Sequence, residues 1–486
     1  MSNDSVIYNT AELSCRLHID GPMETTRSGP LYIFRILSGN TISTLKLEIN
    51  IEKENSGWFW WPNNEGERGS LSDIHGILED HESQSKGFSV LYPISASCRT
   101  VIIGDSEGGI ILSAMPDEKG RVSRINVKAP LNNKVFFTAK SGRSCWIVTR
   151  FTGSPEDALD WLGRIIHKVK WPLPEEAVKN GNNLLQVGLI GPDYDCMVPS
   201  DKGFMVLGDI AAVMKKWLGS DNWLHIFGYA HGHDLLYPDY KPSAFLGGEE
   251  RLKEAIREVH RKGQKVSFYM NIRIADKNLV DNDFKLKESV FKDPIGKSII
   301  EKSYERAFYI MDPHSKSWQD RLFKEAERLV SLGADALELG HMGKQTMLVS
   351  LGEQWGDGIL ALMKRIHGLG VKIWYRGGND LYPADWLEIG REEIDISSEG
   401  VIRSGCLLGE YDPRLFMTLV PERYFMIPLS RMNTVPRFPK DRILRDLENI
   451  MGGLFLYNEE YMERIDMILK HVVDEAVRAD SSNSES

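Results

Sequence analysis

A unit made of a helical stretch, a glycine and an apolar strand occurs three times in the second half of this 486-residue chain. The three segments are RKGQKVSFYMNIR, SLGADALELGHMGK and GLGVKIWYRGGND, and in each one a glycine stands where a left-handed helix cap is expected. Polar side chains crowd the end of each strand. Repeats of this kind predict parallel βα units whose functional residues gather at the carboxyl ends of the strands.

Eight strands can be assigned on this pattern in the second part of the chain. The assigned strands are residues 184–190, 223–230, 265–273, 334–340, 371–376, 393–398, 415–427 and 453–458. Helices are clearest after the second, third, fourth and seventh strands. A long insert over about residues 278–318 lies between the third strand and the helix that follows it. We therefore predict an α/β fold with a (β/α)8 TIM barrel, whose active-site loops lie on the face that carries the insert.

The first third of the chain has a different pattern. Short β-rich runs such as LYIFRIL, STLKLEINIE and RTVIIGD alternate with Gly, Pro, Asn and Asp. Runs of this length and spacing predict an antiparallel β-sandwich. The predicted organisation is an N-terminal β-sandwich domain over 1–152, a linker helix and loop over 153–182, the barrel over 183–476 and a disordered polar tail over 477–486.

Charge and cysteine content narrow the functional classes. The net charge of −10 argues against a nucleic-acid partner. No stretch approaches the roughly 18 apolar residues of a membrane span, and the N-terminus lacks a signal-peptide pattern, so we expect no membrane partner and a cytoplasmic location. The five cysteines are scattered without a CxxC pair, so free thiols are expected, with neither a cofactor nor a bound metal. Composition leaves a homo-oligomer open.

Three tryptophans and a phenylalanine stand together in the segment GWFWWPNNEGER. These are too many aromatic residues for one face of a strand, so some are expected to be exposed. They fit either a core that continues into a domain interface or an aromatic wall for a sugar, because sugar C–H faces stack on indole rings. On the second interpretation Trp60 is a substrate-binding residue.

The third predicted strand carries a row of polar side chains. Tyr269, Asn271 and Arg273 follow one another at a period of two, so we expect all three on one side of the strand. Asp276 comes three residues later. Such a row is typical of substrate hydrogen bonding, and it also fits a polar layer that closes the top of a barrel.

Glu338 is predicted to face the barrel interior from the fourth strand. Because an isolated buried carboxylate is costly, it needs a partner or a function. Arg376 on the fifth strand and Glu399, in EIDISSEG at the exit of the sixth, are the expected partners. Two carboxylates across an aromatic pocket fit glycoside hydrolysis, in which one is the acid or base and the other the nucleophile or second base. Asp380, after the fifth strand, is a further candidate for substrate binding.

The loop after the second strand offers a different chemistry. His231 and His233 lie two residues apart in HGHDLLYPDY, and with His341 at the exit of the fourth strand they could hold the metal of a hydrolase. The HxHD string by itself is weak evidence for a metal. The preferred interpretation assigns these three histidines and Asp239 to substrate binding.

Five short motifs together resemble a known family of enzymes. They are PDYKP after the second strand, YMNIRIAD at the end of the third, MDPHSKSW before a helix, GADALELG, and the later SSEG. Over roughly residues 180–430 they resemble the glycoside-hydrolase-like barrels related to endo-α-N-acetylgalactosaminidases and, more remotely, the α-galactosidases of clan D. The resemblance implies a β-sandwich before the barrel, a carbohydrate substrate and α-glycosidase activity.

The same resemblance implies roles for individual residues and contains one departure. In that family the fourth strand typically ends in an aspartate nucleophile, and the matching position here is Gly340. Glu338 lies two residues earlier on the same face, so either it supplies the carboxylate from deeper in the barrel or the chemistry has moved elsewhere. The departure keeps open a barrel that binds a carbohydrate without hydrolysing it. The family's second carboxylate matches Glu399, and its substrate-contacting residues match Asp239, Asn271 and Asp276.

Overall fold

A computed structural model of the chain contains two antiparallel sheets, a closed barrel and a small three-stranded sheet. The residues that it describes are 4–21, 23–28, 30–36, 44–51, 57–61, 67–70, 90–92, 98–115, 124–128, 134–140, 145–166, 183–191, 198, 201–292, 295–303, 306–340, 355–376, 380, 382, 384–388, 410–411, 414–419, 424–428, 443–446, 462–463, 465–471 and 473–474. None of the helices in these ranges has the length and apolar character that a membrane crossing requires.

Thirteen strands form the two antiparallel sheets of the N-terminal part. Their bounds are Asp4–Asn9 (β1), Leu13–Asp20 (β2), Met23–Ser28 (β3), Leu31–Ile36 (β4), Thr44–Ile51 (β5), Trp58–Trp61 (β6), Glu67–Ser70 (β7), Val90–Tyr92 (β8), Thr100–Gly104 (β9), Gly108–Met115 (β10), Arg124–Lys128 (β11), Lys134–Lys140 (β12) and Cys145–Thr152 (β13). The first sheet has the order β1-β2-β5-β12-β11-β8, and the second contains β7-β6-β9-β10-β13-β4-β3.

The alternation of side chains along these strands builds the core of the N-terminal part. In β2, Leu13, Cys15 and Leu17 are buried while Arg16 between them is exposed, as expected for a sheet with one covered face. The buried residues of β2 belong to the same hydrophobic cluster as those of the second sheet, such as Leu112. The two sheets therefore share one core.

The first described helix, Pro155–Ile166 (α1), follows the second sheet directly. The Ser154 backbone N–H donates to Asp157 Oδ2 at 2.8 Å, and the Asp157 N–H lies 3.3 Å from Ser154 Oγ. This reciprocal cap starts a helix within the predicted linker over 153–182.

The second part of the chain contributes twelve further strands. Their bounds are Asn183–Gly188 (β14), Trp223–Phe227 (β15), Lys265–Asn271 (β16), Ile274–Asp276 (β17), Ile300–Ser303 (β18), Arg306–Ile310 (β19), Ala336–Gly340 (β20), Lys372–Arg376 (β21), Trp386–Glu388 (β22), Glu410–Tyr411 (β23), Tyr424–Pro428 (β24) and Ile443–Asp446 (β25). Eight of them close into a barrel in the order β14-β15-β16-β20-β21-β22-β24-β25. Each neighbouring pair is parallel, including β25 with β14.

Helices stand between several of the barrel strands. They are Val206–Leu218 (α2), Gly248–Arg261 (α3), Lys277–Asn282 (α4), Phe284–Glu288 (α5), Lys316–Leu332 (α6), Trp355–His367 (α7) and Arg414–Leu419 (α8), with 3₁₀ turns at Gly203–Met205 and Ala244–Leu246. Gly333 ends α6 with a φ of 112°, the left-handed cap that the glycine predicts. The predicted insert contains most of α4, all of α5, and strands β18 and β19, and β19 pairs with β17 just before the insert to complete a small antiparallel sheet.

The first five predicted barrel strands overlap observed ones, and the last three do not match as assigned. The predicted sixth and eighth strands, 393–398 and 453–458, lie outside the described residues, and the barrel uses β22 and β25 instead. The predicted seventh, 415–427, divides into α8 and β24. Leu415, Phe416 and Leu419 are all buried, a spacing that belongs to a helix rather than to a strand.

Side chains inside the barrel form a closed apolar floor with polar groups above it. The floor consists of Leu184, Trp223, Ala336, Trp374 and Trp386. Gln186, His225 and Glu338 lie two residues further along β14, β15 and β20, towards the carboxyl ends of these strands. They point into the barrel like the floor residues because side chains alternate with a period of two along a strand.

A strand pair and a buried ion pair join the two parts of the chain. Strand β23, from the second part, pairs antiparallel with β7 and extends the second sheet. Arg99, beside β9, forms an ion pair of 3.0 Å with Asp380, and both side chains have no exposed surface. The N-terminal part therefore packs directly against the loop that follows β21.

Candidate active site at the carboxyl end of the barrel

Glu338 lies fully buried inside the barrel and is bound on both of its carboxylate oxygens. Arg376 Nε donates to Oε1 at 2.6 Å, and His225 Nε2 lies 2.7 Å from Oε2. Arg376 also donates from Nη2 to the side-chain oxygen of Gln186. The sequence identified Arg376 as a partner, whereas His225 and Gln186 were missed.

The surroundings of Glu338 keep its carboxylate ionised. Burial opposes ionisation, but the Arg376 guanidinium and His225 outweigh it and lower the pKa of Glu338 to about 2. Burial is also the main reason that the pKa of His225 is lowered. Glu338 is therefore an anion at neutral pH, and His225 is a neutral imidazole.

Polar groups contact both ring nitrogens of His225. The indole N–H of Trp374 donates to Ser267 Oγ at 2.8 Å, and Ser267 Oγ lies 3.2 Å from His225 Nδ1. The buried imidazole is therefore placed between Ser267 on one side and Glu338 on the other.

Tyr269 fills the space beside Gly340. A Cβ atom placed on Gly340 would lie 2.5 Å from the ring and the hydroxyl oxygen of Tyr269. The Tyr269 hydroxyl accepts from Asn271 Nδ2 at 3.2 Å, and burial raises its pKa well above the usual value, so the phenol is neutral. The space beside Gly340 at the end of β20 is therefore already filled by the Tyr269 ring from the neighbouring strand β16.

Substituting Gly340 by alanine is expected to destabilise the barrel by about 1–3 kcal/mol, because the new methyl group forces the Tyr269 ring out of its position. The urea midpoint of the variant measures the loss. In a chain that already carries Tyr269→Ser the ring is absent, so adding Gly340→Ala there should lower stability by less than it does in wild type. Equal stability of Gly340→Ala and wild type would contradict the close packing.

The loop after β15 brings two histidines and two carboxylates to the same end of the barrel. His231 Nε2 and Asp239 Oδ2 are 3.1 Å apart and about one third exposed, and this contact is the main reason that the pKa of Asp239 is lowered. The His233 ring packs against Tyr269, with centroids 5.6 Å apart. Asp234 is only 7 % exposed, and its Oδ2 lies 4.0 Å from His233 Nε2. Sequence reasoning treated Asp234 only as part of the HxHD string and gave it no role.

Buried tyrosines hold this loop against the third strand. The Tyr240 hydroxyl accepts from the Asn271 N–H at 2.7 Å and donates to the Asn271 carbonyl at 2.9 Å. Tyr237 donates from its hydroxyl to Asp234 Oδ1 at 3.4 Å, and the Asp234 N–H donates to the same hydroxyl. Asp234 has a φ of 52°, a left-handed conformation that these contacts maintain.

The predicted polar row of the third strand is interrupted after Asn271. The Asn271 side-chain oxygen accepts from the N–H groups of Arg273 and Ile274, so the chain turns and the period of two ends. The Arg273 guanidinium pairs with Glu301 in the insert. Asp276 caps α4 by accepting from Asn278 N and Leu279 N. Arg273 and Asp276 therefore serve local structure, and Asn271 positions the Tyr269 hydroxyl.

Two further residues predicted to bind substrate lie at the junction of the two parts. Trp60 is fully buried, with the guanidinium carbons of Arg68 and Arg414 at 5.8 and 5.2 Å from its ring centroid. Asp380 is held by Arg99. The core and interface interpretation of the tryptophan-rich segment agrees with this burial, and neither residue presents a surface to a sugar.

Two predicted residues, Glu399 and His341, lie outside the described residues. The structure therefore gives no distance between Glu338 and Glu399. Within the described ranges, no three His, Cys, Asp or Glu side chains come together as a metal site.

The fold is similar to that of solved α-glycosidases. The α-N-acetylgalactosaminidase NagBb from Bifidobacterium bifidum matches with a TM-score of 0.58 and 11% identity, covering 96% of this chain and 84% of that one. The α-galactosidase TtGalA from Thermus thermophilus, in complex with stachyose, matches with a TM-score of 0.53 and 12% identity, covering 93% and 94%. A GalNAc complex of NagBb also matches. No family model and no curated protein matches the sequence.

Proposed function

We propose that this protein is a glycoside hydrolase that takes an α-linked sugar at the carboxyl end of its barrel. The observation that carries the proposal is the fold similarity to α-N-acetylgalactosaminidases and α-galactosidases, which extends over nearly the whole chain. We take the closed parallel barrel to be a (β/α)8 barrel with a β-sandwich domain before it. The sequence motifs that resemble the same enzymes support this assignment independently.

Sugar recognition is assigned to side chains at the barrel mouth. Arg376 is 18% exposed, and Glu338 holds its guanidinium in place from below. A planar guanidinium fixed in this way presents donors in a set direction, which suits the hydroxyl groups of a sugar. Tyr269 and His233 contribute adjacent rings, and the His231–Asp239 pair contributes polar groups that are partly exposed.

The proposed carboxylate pair remains Glu338 and Glu399, with roles that their surroundings constrain. A carboxyl group with a pKa of about 2 cannot donate a proton at neutral pH, so the general acid falls to Glu399. Glu338 is enclosed while Arg376 is in place. In this arrangement it positions Arg376, and it reaches the sugar as a nucleophile only when the guanidinium turns away.

A specific observation favours a second candidate function, which is carbohydrate binding without hydrolysis. The Tyr269 ring occupies the space in which a side chain at Gly340 would stand, and Glu338 is committed to two partners. Among the described barrel strands, the ionised carboxylate of Glu338 is thus covered by its partners rather than open to a ligand. A barrel built in this way would retain a sugar pocket while lacking the reacting group.

Hydrolysis of p-nitrophenyl α- and β-glycosides tests the two functions. We expect wild type to cleave an α-galactoside or an α-N-acetylgalactosaminide, and Glu399→Gln to lower kcat by about 10²–10⁴-fold through loss of the general acid. The exposed Glu249→Gln on α3 is the control and should match wild type. Binding of the free sugars by calorimetry without turnover of any glycoside would select the second function.

A further inference from the structure

A cleft of about 580 Å³ lies in the N-terminal part. Its lining residues come from β1, from the turns that precede β2, β4 and β10, from β13 and from α1, and none comes from the barrel. Its volume falls within the range of about 300–1,000 Å³ that is common for small-molecule sites. The cleft is thus a concave site that shares no lining residue with the barrel.

Three aromatic side chains line this cleft and are held in fixed positions. Trp161 is half-buried, and its indole N–H donates to Thr149 Oγ1 at 3.0 Å. The Tyr8 hydroxyl donates to the buried carboxylate of Asp105 at 2.7 Å. Phe151 is the third ring and belongs to the core. Rings whose polar ends are tied down lose little freedom when a ligand stacks on them.

The charged residues that line the cleft are two arginines and three carboxylates. Arg150 and Arg164 are exposed, as are Glu107 and Asp160. Asp157 also lines the cleft, but its carboxylate accepts from the backbone and the hydroxyl of the preceding serine cap. Two cations and three anions leave a net negative charge, which does not attract a phosphate or another anion.

We propose that this cleft is a second carbohydrate-binding site, which takes a neutral oligosaccharide. Aromatic rings, fork-shaped donors and carboxylate acceptors are the groups that recognise the apolar faces and the hydroxyl pairs of a neutral sugar. The proposal rests on the proposed function for its ligand class, because the barrel mouth would act on the same kind of molecule. A chain held in the cleft would raise the local concentration of substrate at the barrel.

Isothermal titration with stachyose and with GalNAc tests this site, since solved structures of the similar enzymes contain these two sugars. The variant Arg150→Ala/Arg164→Ala removes both donors, and Asp160→Ala independently removes an acceptor on α1. We expect each to weaken binding to the cleft by about tenfold or more, as loss of charged hydrogen bonds predicts. Arg16→Ala changes an exposed arginine on β2 that does not line the cleft, and it should leave binding unchanged.

The barrel variant Arg376→Met separates this proposal from the proposed function. Binding that survives Arg376→Met and is lost in the cleft variants supports the second site, even if no glycoside is hydrolysed. Binding that is lost in Arg376→Met and unchanged in both cleft variants overturns the second site and leaves the barrel function standing. Absence of binding of either sugar to wild type also overturns it.

Discussion

Replacement of Glu338 by alanine is expected to lower the free energy of unfolding by about 3–5 kcal/mol, the usual loss when one member of a buried ion pair is removed. The substitution leaves the Arg376 guanidinium and the His225 imidazole inside the barrel without the carboxylate that both contact. Urea unfolding followed by tryptophan fluorescence measures the change, because Trp374 and Trp386 lie in the barrel floor beneath this group.

A matched control shows how much of the stability loss comes from the burial of the carboxylate and how much from its removal alone. Glu254 pairs with Arg251 on α3 at 2.9 Å, with both side chains about half exposed. Glu254→Ala should change stability by less than about 1 kcal/mol, as exposed ion pairs do. In addition, Glu338→Leu combined with Arg376→Met should be more stable than Glu338→Ala, because no uncompensated charge remains. A Glu338→Ala variant as stable as the Glu254→Ala control would remove the argument for a strong buried pair.

The same carboxylate is expected to make stability depend on pH in the acid range. The pKa of Glu338 falls from the ordinary 4.5 to about 2 in the folded chain, so the unfolded state binds the proton more readily. Its contribution, about 3 kcal/mol, is fully present above pH 4.5 and is lost as the pH falls towards 2. The stability of Glu338→Ala should therefore fall less steeply than that of wild type over this window. Parallel curves would show that Glu338 is not held ionised.

Sequence reasoning found Glu338 because two general rules coincide there. A period of two along the fourth strand turns the residue inward, and a buried carboxylate requires a partner, which the next strand supplies in Arg376. His225 was not found because it stands within the apolar run WLHIF and reads as a core residue. Its contact with Glu338 depends on the closure of the barrel, since β15 and β20 are separated by β16.

The sequence named Tyr269 and Asp380 as candidates, but their contacts could not be predicted because these depend on register or on packing between the two parts. Tyr269 lies beside Gly340 only because β16 and β20 pair with Asn271 opposite Gly340. Asp380 follows a barrel strand, as a substrate-binding residue would, yet Arg99 from a distant part of the chain covers it. Strand β22 has only three residues, too few for any periodic pattern to show.

Removal of the carboxylate that joins the two parts of the chain is expected to have an effect as large as the loss of Glu338. Asp380→Ala leaves the Arg99 guanidinium fully buried without the anion that lies 3.0 Å from it, and we expect a loss of about 3–5 kcal/mol. The carboxylate also accepts from the Arg99 backbone N–H at 3.2 Å, so that donor is affected as well. Calorimetry should show a lower unfolding temperature.

The junction offers its own control for this effect. Glu156 accepts from Arg68 and Arg414 at 3.3 Å in the same region, but its side chain is 55% exposed. Glu156→Gln should therefore cost less than about 1 kcal/mol. If burial of the charge is the cause, Arg99→Met combined with Asp380→Leu should recover stability relative to Asp380→Ala. If Asp380→Ala and Glu156→Gln lower the free energy of unfolding equally, the buried pair contributes no more than an exposed one. The two parts would then be held together by the pairing of β23 with β7 and by apolar contacts.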